Sequence, residues 1–265
     1  VSTHVSALEH ELGKKLIRRT ARNFELTEDG VKLYKYAVDI LLLHRKAIME
    51  VGGNGSEFLR IGTSSVPAQW FVPTILSGFL KKNVNTQVEM TSADSLDIIR
   101  RVKEGSLDIG FVGTKVEKQC KYISLVNDHL VLAAPNTKKY QKIFVGESGS
   151  GESDLRQILE SPFLARRQYS GTMKEALGSL EYFGIKEEDL NIVATFDSAE
   201  MLRDCVEAGM GISILSYEMI KELHERGKIL IYRLPEKEFC RELYLIYKNE
   251  SFLPEIVKKF IHYTE

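Results

Sequence analysis

The chain is short of cysteine, of long apolar runs and of net charge, and each shortage closes a class of function. Cys120, Cys205 and Cys240 stand far apart in 265 residues and form no CxxC pair. That spacing offers no zinc framework or disulfide scaffold and suits a reducing, cytoplasmic setting. No apolar stretch approaches the roughly 20 residues a membrane helix needs, so no membrane partner is expected. A formal net charge of -1 argues against a protein that coats a polyanion along its length. The histidines, at 4, 10, 44, 129, 224 and 262, show no metal-ligand spacing. Catalytic signatures fail too. Gly146-Glu147-Ser148-Gly149-Ser150 misses a nucleophile elbow at its last position. Gly149-Ser150-Gly151 is followed by Asp154 where a dinucleotide fingerprint needs glycine. No P-loop, HExxH or EF-hand loop occurs. The expectation is a protein that is not an enzyme and carries no cofactor, with 146–153 as a polar loop.

What charge there is lies unevenly. Lys14, Lys15, Arg18, Arg19 and Arg22 crowd the first segment and outnumber Glu9 and Glu11. Before them, Val1, Val5, Leu8 and Leu12 recur at helical spacing. The opposite face carries the short polar residues Ser2, Thr3, His4, Ser6 and His10. Gly13 ends this helix as a residue of positive φ would. Phe24 to Leu26 then returns as a short strand, and Thr27 caps a new helix with Glu28 and Asp29 in its first turn. A small polar helix face beside basic residues suits the DNA major groove, with Lys and Arg on phosphates. Spacing alone fits an amphipathic surface helix with a solvated charge run equally well.

The next helix, 28–51, has a wide apolar stripe of Tyr34, Ala37, Val38, Leu41, Leu42, Ile48 and Met49, broken by Arg45. So much apolar surface on one helix needs a partner, its own domain or a second copy. Gly52 to Ser56 makes a hinge. From Phe58 onward strands and helices alternate. Strands are predicted at 58–61, 87–90, 107–112, 122–126 and 130–134. Helices are predicted at 67–82, interrupted at Pro73, and at 96–104. The order βαβαβ implies a parallel sheet flanked by helices. Residues 135–142 read as a crossing into a second lobe. That lobe has strands at 163–165, 191–195, 211–215 and 229–234, and helices at 172–183, 199–207 and 217–226. Strand 242–247 returns to the first lobe before a closing helix at 254–263.

Val1-Ser2, Val5, Leu8-Glu9, Leu12-Gly13, Leu16, Arg19-Thr20, Leu26-Thr27 and Gly30 resemble the signature of LysR-type transcriptional regulators. The resemblance extends through EGSLDIGFVG at 104–113 and EAGMGISILS at 207–216, with Ser216 where proline is usual. It implies an α/β protein with a partial winged helix-turn-helix, a long linker helix and a two-lobed, periplasmic-binding-protein-like effector domain. Its divisions would be a remnant DNA-binding domain at 1–27, a dimerisation helix and hinge at 28–56, and an effector domain at 57–265. Lobe I would span about 57–136 and 236–265, and lobe II about 137–235. Ser2 to His10 would be the recognition helix and Lys14 to Leu26 the wing. Ser2, Thr3, His4, Ser6, Arg18, Arg19 and Arg22 are the DNA-contact candidates. The family pattern starts before Val1, so the chain is expected to be a fragment of a longer protein. Partners implied are double-stranded DNA, a second copy in a dimer or tetramer, a small anionic metabolite and RNA polymerase. A transporter's solute-binding receptor shares the two-lobed pattern but has no use for residues 1–51.

Two helix starts read as ligand sites or as ordinary caps. Thr63-Ser64-Ser65, followed by Val66, offers hydroxyls and unpaired N–H groups. Ser170-Gly171-Thr172, just after Arg166 and Tyr169, offers the same across the expected cleft. Gly113-Thr114 and the turn at Phe196 to Ser198 are lesser candidates. Residues 62–73 also resemble the opening of the cysteine-regulon branch of the family, where Thr or Ser residues hold an anionic or amino-acid-like effector.

Overall fold

A computed structural model of the chain describes residues 2–19, 24–51, 57–116, 118, 120–144, 152–167, 170–235, 237–249 and 253–265. The predicted positions Arg22 and Tyr169, and the glycine- and serine-rich run 146–151, lie outside them. The N-terminal part comprises α1 (Ser2–Leu12), β1 (Ile17–Arg19), β2 (Phe24–Leu26) and α2 (Glu28–Val51). Gly13 has φ +62, the left-handed value expected of a helix stop. Strands β1 and β2 pair antiparallel, Ile17 opposite Leu26. Glu9 ties α1 to this hairpin. Its Oε1 accepts from the Leu16 and Ile17 amides at 2.8 and 3.2 Å, and its Oε2 meets Lys15 Nζ at 2.7 Å. Lys15 and the two amides hold the Glu9 carboxyl down at about 2. Thr27 caps α2 by accepting from Gly30 N at 3.0 Å, and donates to Lys15 O at 2.6 Å. Gly30 is required there: a Cβ would stand 2.1 Å from the Leu16 carbonyl oxygen.

The first lobe begins with β3 (Glu57–Thr63), α3 (Ser65–Gln69), α4 (Val72–Lys82), β4 (Thr86–Ser92), α5 (Ser95–Lys103) and β5 (Ile109–Val112). The predicted helix 67–82 is two helices, broken at Trp70 and Phe71, with Pro73 inside the first turn of α4, where its missing N–H costs nothing. Next comes β6 (Cys120–Pro135), one strand of 16 residues rather than the two expected. The gap expected at 127–129 is part of the strand: Asp128 is fully buried and bonded, while Asn127 and His129 on either side of it are exposed. The second lobe adds α6 (Lys138–Phe144), α7 (Glu152–Leu159), β7 (Phe163–Arg166), α8 (Gly171–Tyr182), β8 (Ile192–Phe196), α9 (Ala199–Glu207), β9 (Ser213–Ser216), α10 (Tyr217–Glu225) and β10 (Ile229–Arg233). Helix α6 occupies the predicted crossing, and α7 begins inside the predicted polar loop. Then β11 (Cys240–Lys248) and α11 (Glu255–Thr264) return to the first lobe.

The large sheet runs β10-β6-β11-β5-β3-β4, with β9 also on β6. Strand β3 is parallel to β4 and β5, as expected, but β11 is antiparallel to β5 and β6. The sheet is mixed because β6 carries the chain out of the first lobe and β11 must run back. Residues 120–129 of β6 pair with β11, whereas 130–135 pair with β9 and β10. The crossing therefore sits within β6 near 129/130, not at 135–142, and a boundary drawn by pairing moves with it. Strand β7 pairs parallel with β8 and bridges to Ile212.

Helices cover both faces of each lobe's sheet. In the first lobe, Leu59, Ile61, Phe79, Phe111 and Phe260 fill one side, and Ile98, Ile99 and Val102 of α5 fill the other. In the second, Leu155, Ile158 and Leu180 pack one side, and Leu202, Val206 and Ile220 the other. Burial of this kind stabilises by about 25 cal/mol per Å² of apolar surface.

Candidate functional site

Where the lobes face each other, a small pocket, partly open to solvent, is lined by Ser64, Ser65, Val66, Asp94, Ser95, Gly113, Arg166, Ser170, Gly171, Thr172 and Arg241. Three helix starts, those of α3, α5 and α8, converge on it. Each brings N–H groups without a helical partner and the positive end of a peptide dipole. Ser170 caps α8, accepting from Met173 N at 3.4 Å. Ser64 stands at the start of α3 but makes no side-chain cap bond. Asp94 likewise leaves α5 uncapped by its side chain. Its Oδ1 instead accepts from Arg166 Nη2 at 3.0 Å, across the cleft.

Two guanidinium groups give the pocket its charge. Arg166, at the end of β7, is 7% exposed. Burial holds its guanidinium below the ordinary arginine value, against the opposite pull of Asp94, Glu200 and Asp197. Arg241 of β11 reaches the floor. Its Nη1 would stand 3.2 Å from a Cβ on Gly113, so the guanidinium packs closely on the backbone there. Arg241 Nε and Nη2 donate to Asp128 Oδ2 at 2.9 and 2.8 Å, and Ser216 Oγ donates to Asp128 Oδ1 at 2.6 Å. Further contacts join the lobes. Thr114 Oγ1 donates to Glu175 Oε1 at 3.3 Å, and Gln69 donates to Glu200. A Cβ on Gly171 would lie 3.1 Å from Ser95 Oγ, so the α8 start and the α5 start nearly touch.

Of the predicted effector residues, Ser64, Ser65, Val66, Gly113, Arg166, Ser170, Gly171 and Thr172 are brought together here. Thr63 is buried behind them with its hydroxyl on Ser64 O at 3.0 Å. Thr114 stands beside Gly171 and bonds Glu175 instead of lining the pocket. Phe196 and Ser198 lie outside the lining: Phe196 pairs with Arg166 in the sheet and Ser198 caps α9, accepting from Met201 N at 3.1 Å. Sequence reasoning missed Asp94, Ser95 and Arg241. The strand–turn–helix run Ser92-Ala93-Asp94-Ser95 carries the same signal that marked the other two starts. Arg241 has no local signal, because only strand pairing brings it there. At the other end of the chain, Thr3, His4, Ser6 and Arg18 are all exposed. The described residues hold no group of His, Cys, Asp or Glu able to bind a metal ion and no helix long and apolar enough to cross a membrane.

Two α/β lobes meeting at a pocket that holds two ion-paired arginines, behind a helix, a hairpin and a long helix, define a two-lobed ligand-binding domain with a separate N-terminal part. Residues 53–265 match the model of the LysR substrate binding domain, and the chain belongs to that family of transcriptional regulators. An uncharacterized HTH-type transcriptional regulator of Methanocaldococcus jannaschii is 29% identical over 263 residues, 98% of this chain and 86% of that protein. The regulator YofA of Bacillus velezensis is 25% identical over 274 residues, 99% of this chain and 86% of its own. Among solved structures, CbnR in complex with its target DNA superposes with a TM-score of 0.70 at 20% identity, covering 99% of this chain and 88% of that one. The regulatory domain of Synechocystis CcmR, in complex with 2-PG, gives 0.69 at 20% identity, covering 79% and 96%. These structural likenesses concern the fold. The relatives are named as regulators, which disfavours the transporter-receptor alternative.

Proposed function

We propose that this LysR-type regulator responds to a small anionic metabolite held between its lobes. The observation that carries the reading is the convergence of Arg166, Arg241 and three helix starts on one pocket. Ser64 and Thr172 add hydroxyl groups that can turn toward a bound anion. A ligand touching both lobes favours the closed form by its differential affinity for it. The test is calorimetry with a panel of carboxylate-, phosphate- and sulfur-bearing metabolites on wild type, Ser64→Ala and Thr172→Val. Losing one hydrogen bond to a charged ligand is expected to weaken binding about ten- to hundredfold. Binding by neutral apolar compounds alone, or equal binding by all three proteins, would refute the assignment.

The N-terminal part reads as the recognition helix, wing and linker helix of a winged helix-turn-helix regulator. Its exposed Thr3, His4, Ser6 and Arg18 suit base edges and phosphates. Helix α2 exposes Tyr34, Ile40, Leu41 and Leu43, the last three each by 65% or more. Single exposed apolar residues are ordinary, but four within the ten positions from Tyr34 to Leu43 are not. We assign them to pairing with a second copy. Leu41→Asp puts a charge in the apolar seam and should convert dimer to monomer in sedimentation velocity. An unchanged dimer would move the seam elsewhere.

A further inference from the structure

Arg166 differs from the half-buried Arg60 and the buried Arg241 in how its fork is filled. Arg60 donates from both Nε and Nη2 to Asp108, and Arg241 from both Nε and Nη2 to Asp128. These two nitrogens form one edge of the guanidinium plane, which matches a two-oxygen acid group. On Arg166 only Nη2 is taken, by Asp94 Oδ1. Its Nε is buried and has no hydrogen-bond partner. A buried N–H without a partner is costly, and here it belongs to a cation that lines an open pocket.

We propose that the half-filled fork of Arg166 is the seat for the acid group of the effector. A carboxylate or phosphate takes the whole Nε–Nη2 edge and displaces Asp94. The inference rests on the cleft being the effector site and names the group it recognises. Asp94 has somewhere to go. It already has the extended backbone of a helix N-cap, φ −66 and ψ 152, yet makes no cap bond. Released from Arg166, its carboxylate can accept from the Leu96 or Asp97 amide in the first turn of α5. Its side chain is about one-third exposed, 32%, so water also receives it. The exchange thus replaces one bond of Asp94 with another, while Arg166 gains the bond it lacks.

Asp94 is then a specificity-determining residue, a resident competitor that sets a threshold for entry. Anions that offer two oxygens in a plane displace it, and a spherical anion does not fill the fork. Asp94 also bridges the lobes in the absence of effector. An acid that replaces it must make its own contacts to the first lobe, through Ser64, Ser65 or Arg241, to keep them together.

The test uses inorganic phosphate, acetate and, as a control, chloride, titrated calorimetrically into the whole chain. Asp94→Asn removes the competing charge and should tighten phosphate and acetate about tenfold, leaving chloride unchanged. Arg166→Lys keeps the charge but not the fork and should weaken both about tenfold. In the Arg166→Lys background, Asp94→Asn should no longer tighten either anion. Asp94→Ser, which preserves a cap, gives the same sign if the asparagine variant folds poorly. Unchanged or weaker binding by both Asp94 variants, or indifference to Arg166→Lys, overturns the proposal. So does failure of phosphate and acetate to bind any of these proteins. Metabolites that bind wild type and require Thr172 while ignoring both substitutions would leave the cleft reading standing and sink this one alone.

Discussion

Replacing Asp128 with alanine is expected to cost about 3–5 kcal/mol of unfolding free energy, the usual penalty for stranding one member of a buried ion pair. Asp128 is fully buried. Its carboxylate receives two guanidinium bonds from Arg241 and one from Ser216. Removing it leaves a cation, itself only 7% exposed, without the carboxylate that takes its Nε and Nη2. Urea unfolding of wild type and variant measures the loss. A second variant separates the penalty from the net worth of the pair. Asp128→Leu combined with Arg241→Met exchanges the pair for apolar groups and should recover most of the stability. A loss under 1 kcal/mol for Asp128→Ala would mean that water reaches Arg241 freely, contrary to its burial.

Gly30→Ala should be nearly as damaging, but locally. The new methyl would stand 2.1 Å from the Leu16 carbonyl oxygen, which already accepts from Thr27 N at 2.9 Å. Backbone cannot yield as a side-chain tip can, so the hairpin must lift from α2. Overpacking costs typically 1–3 kcal/mol, and backbone contact places this site near about 3 kcal/mol. Hydrogen exchange should show it as faster exchange of the Leu16, Ile17 and Thr27 amides, with the amides of β3, β5 and β11 unchanged. DNA affinity, followed by fluorescence anisotropy at fixed salt, should fall in parallel, because the arginine of the hairpin moves with it. Unaltered exchange in the hairpin would show that the helix start absorbs the methyl.

The elements most legible in the sequence were those whose signals are local. The Leu12-Gly13 stop, the Thr27 cap and the helix starts at Ser64 and Ser170 depend on residues a few positions apart, and each lies where expected. Elements set by distant partners were not legible. Asp128 belongs to a strand only because Arg241, 113 positions later, neutralises it. Read locally, Asn127-Asp128-His129 is turn chemistry, and tertiary pairing overrides it. Ser216 shows the same dependence. It stands where the family resemblance leads one to expect proline, and its hydroxyl completes the Asp128 site. The pocket was legible in its two serine- and threonine-bearing starts and incomplete in its charges. Asp94 is absent from the candidates drawn from sequence, and its bond to Arg166 becomes visible only when the lobes are set face to face.

The pairing switch within β6 has a consequence for inheritance. Leu130 N donates to Phe239 O at 2.8 Å, so the chain leaves and re-enters the first lobe at almost the same point. Residues 130–239 therefore form a cassette with adjoining ends. The cassette carries one half of the pocket, Arg166 with Ser170, Gly171 and Thr172, and leaves Ser64, Asp94, Gly113 and Arg241 behind. Exchange of that single stretch between two such regulators would recombine the half that attracts an acid group with the half that competes for it. Ligand preference and trigger threshold can in this way be reassorted by one crossover, without touching the N-terminal helix, hairpin and long helix.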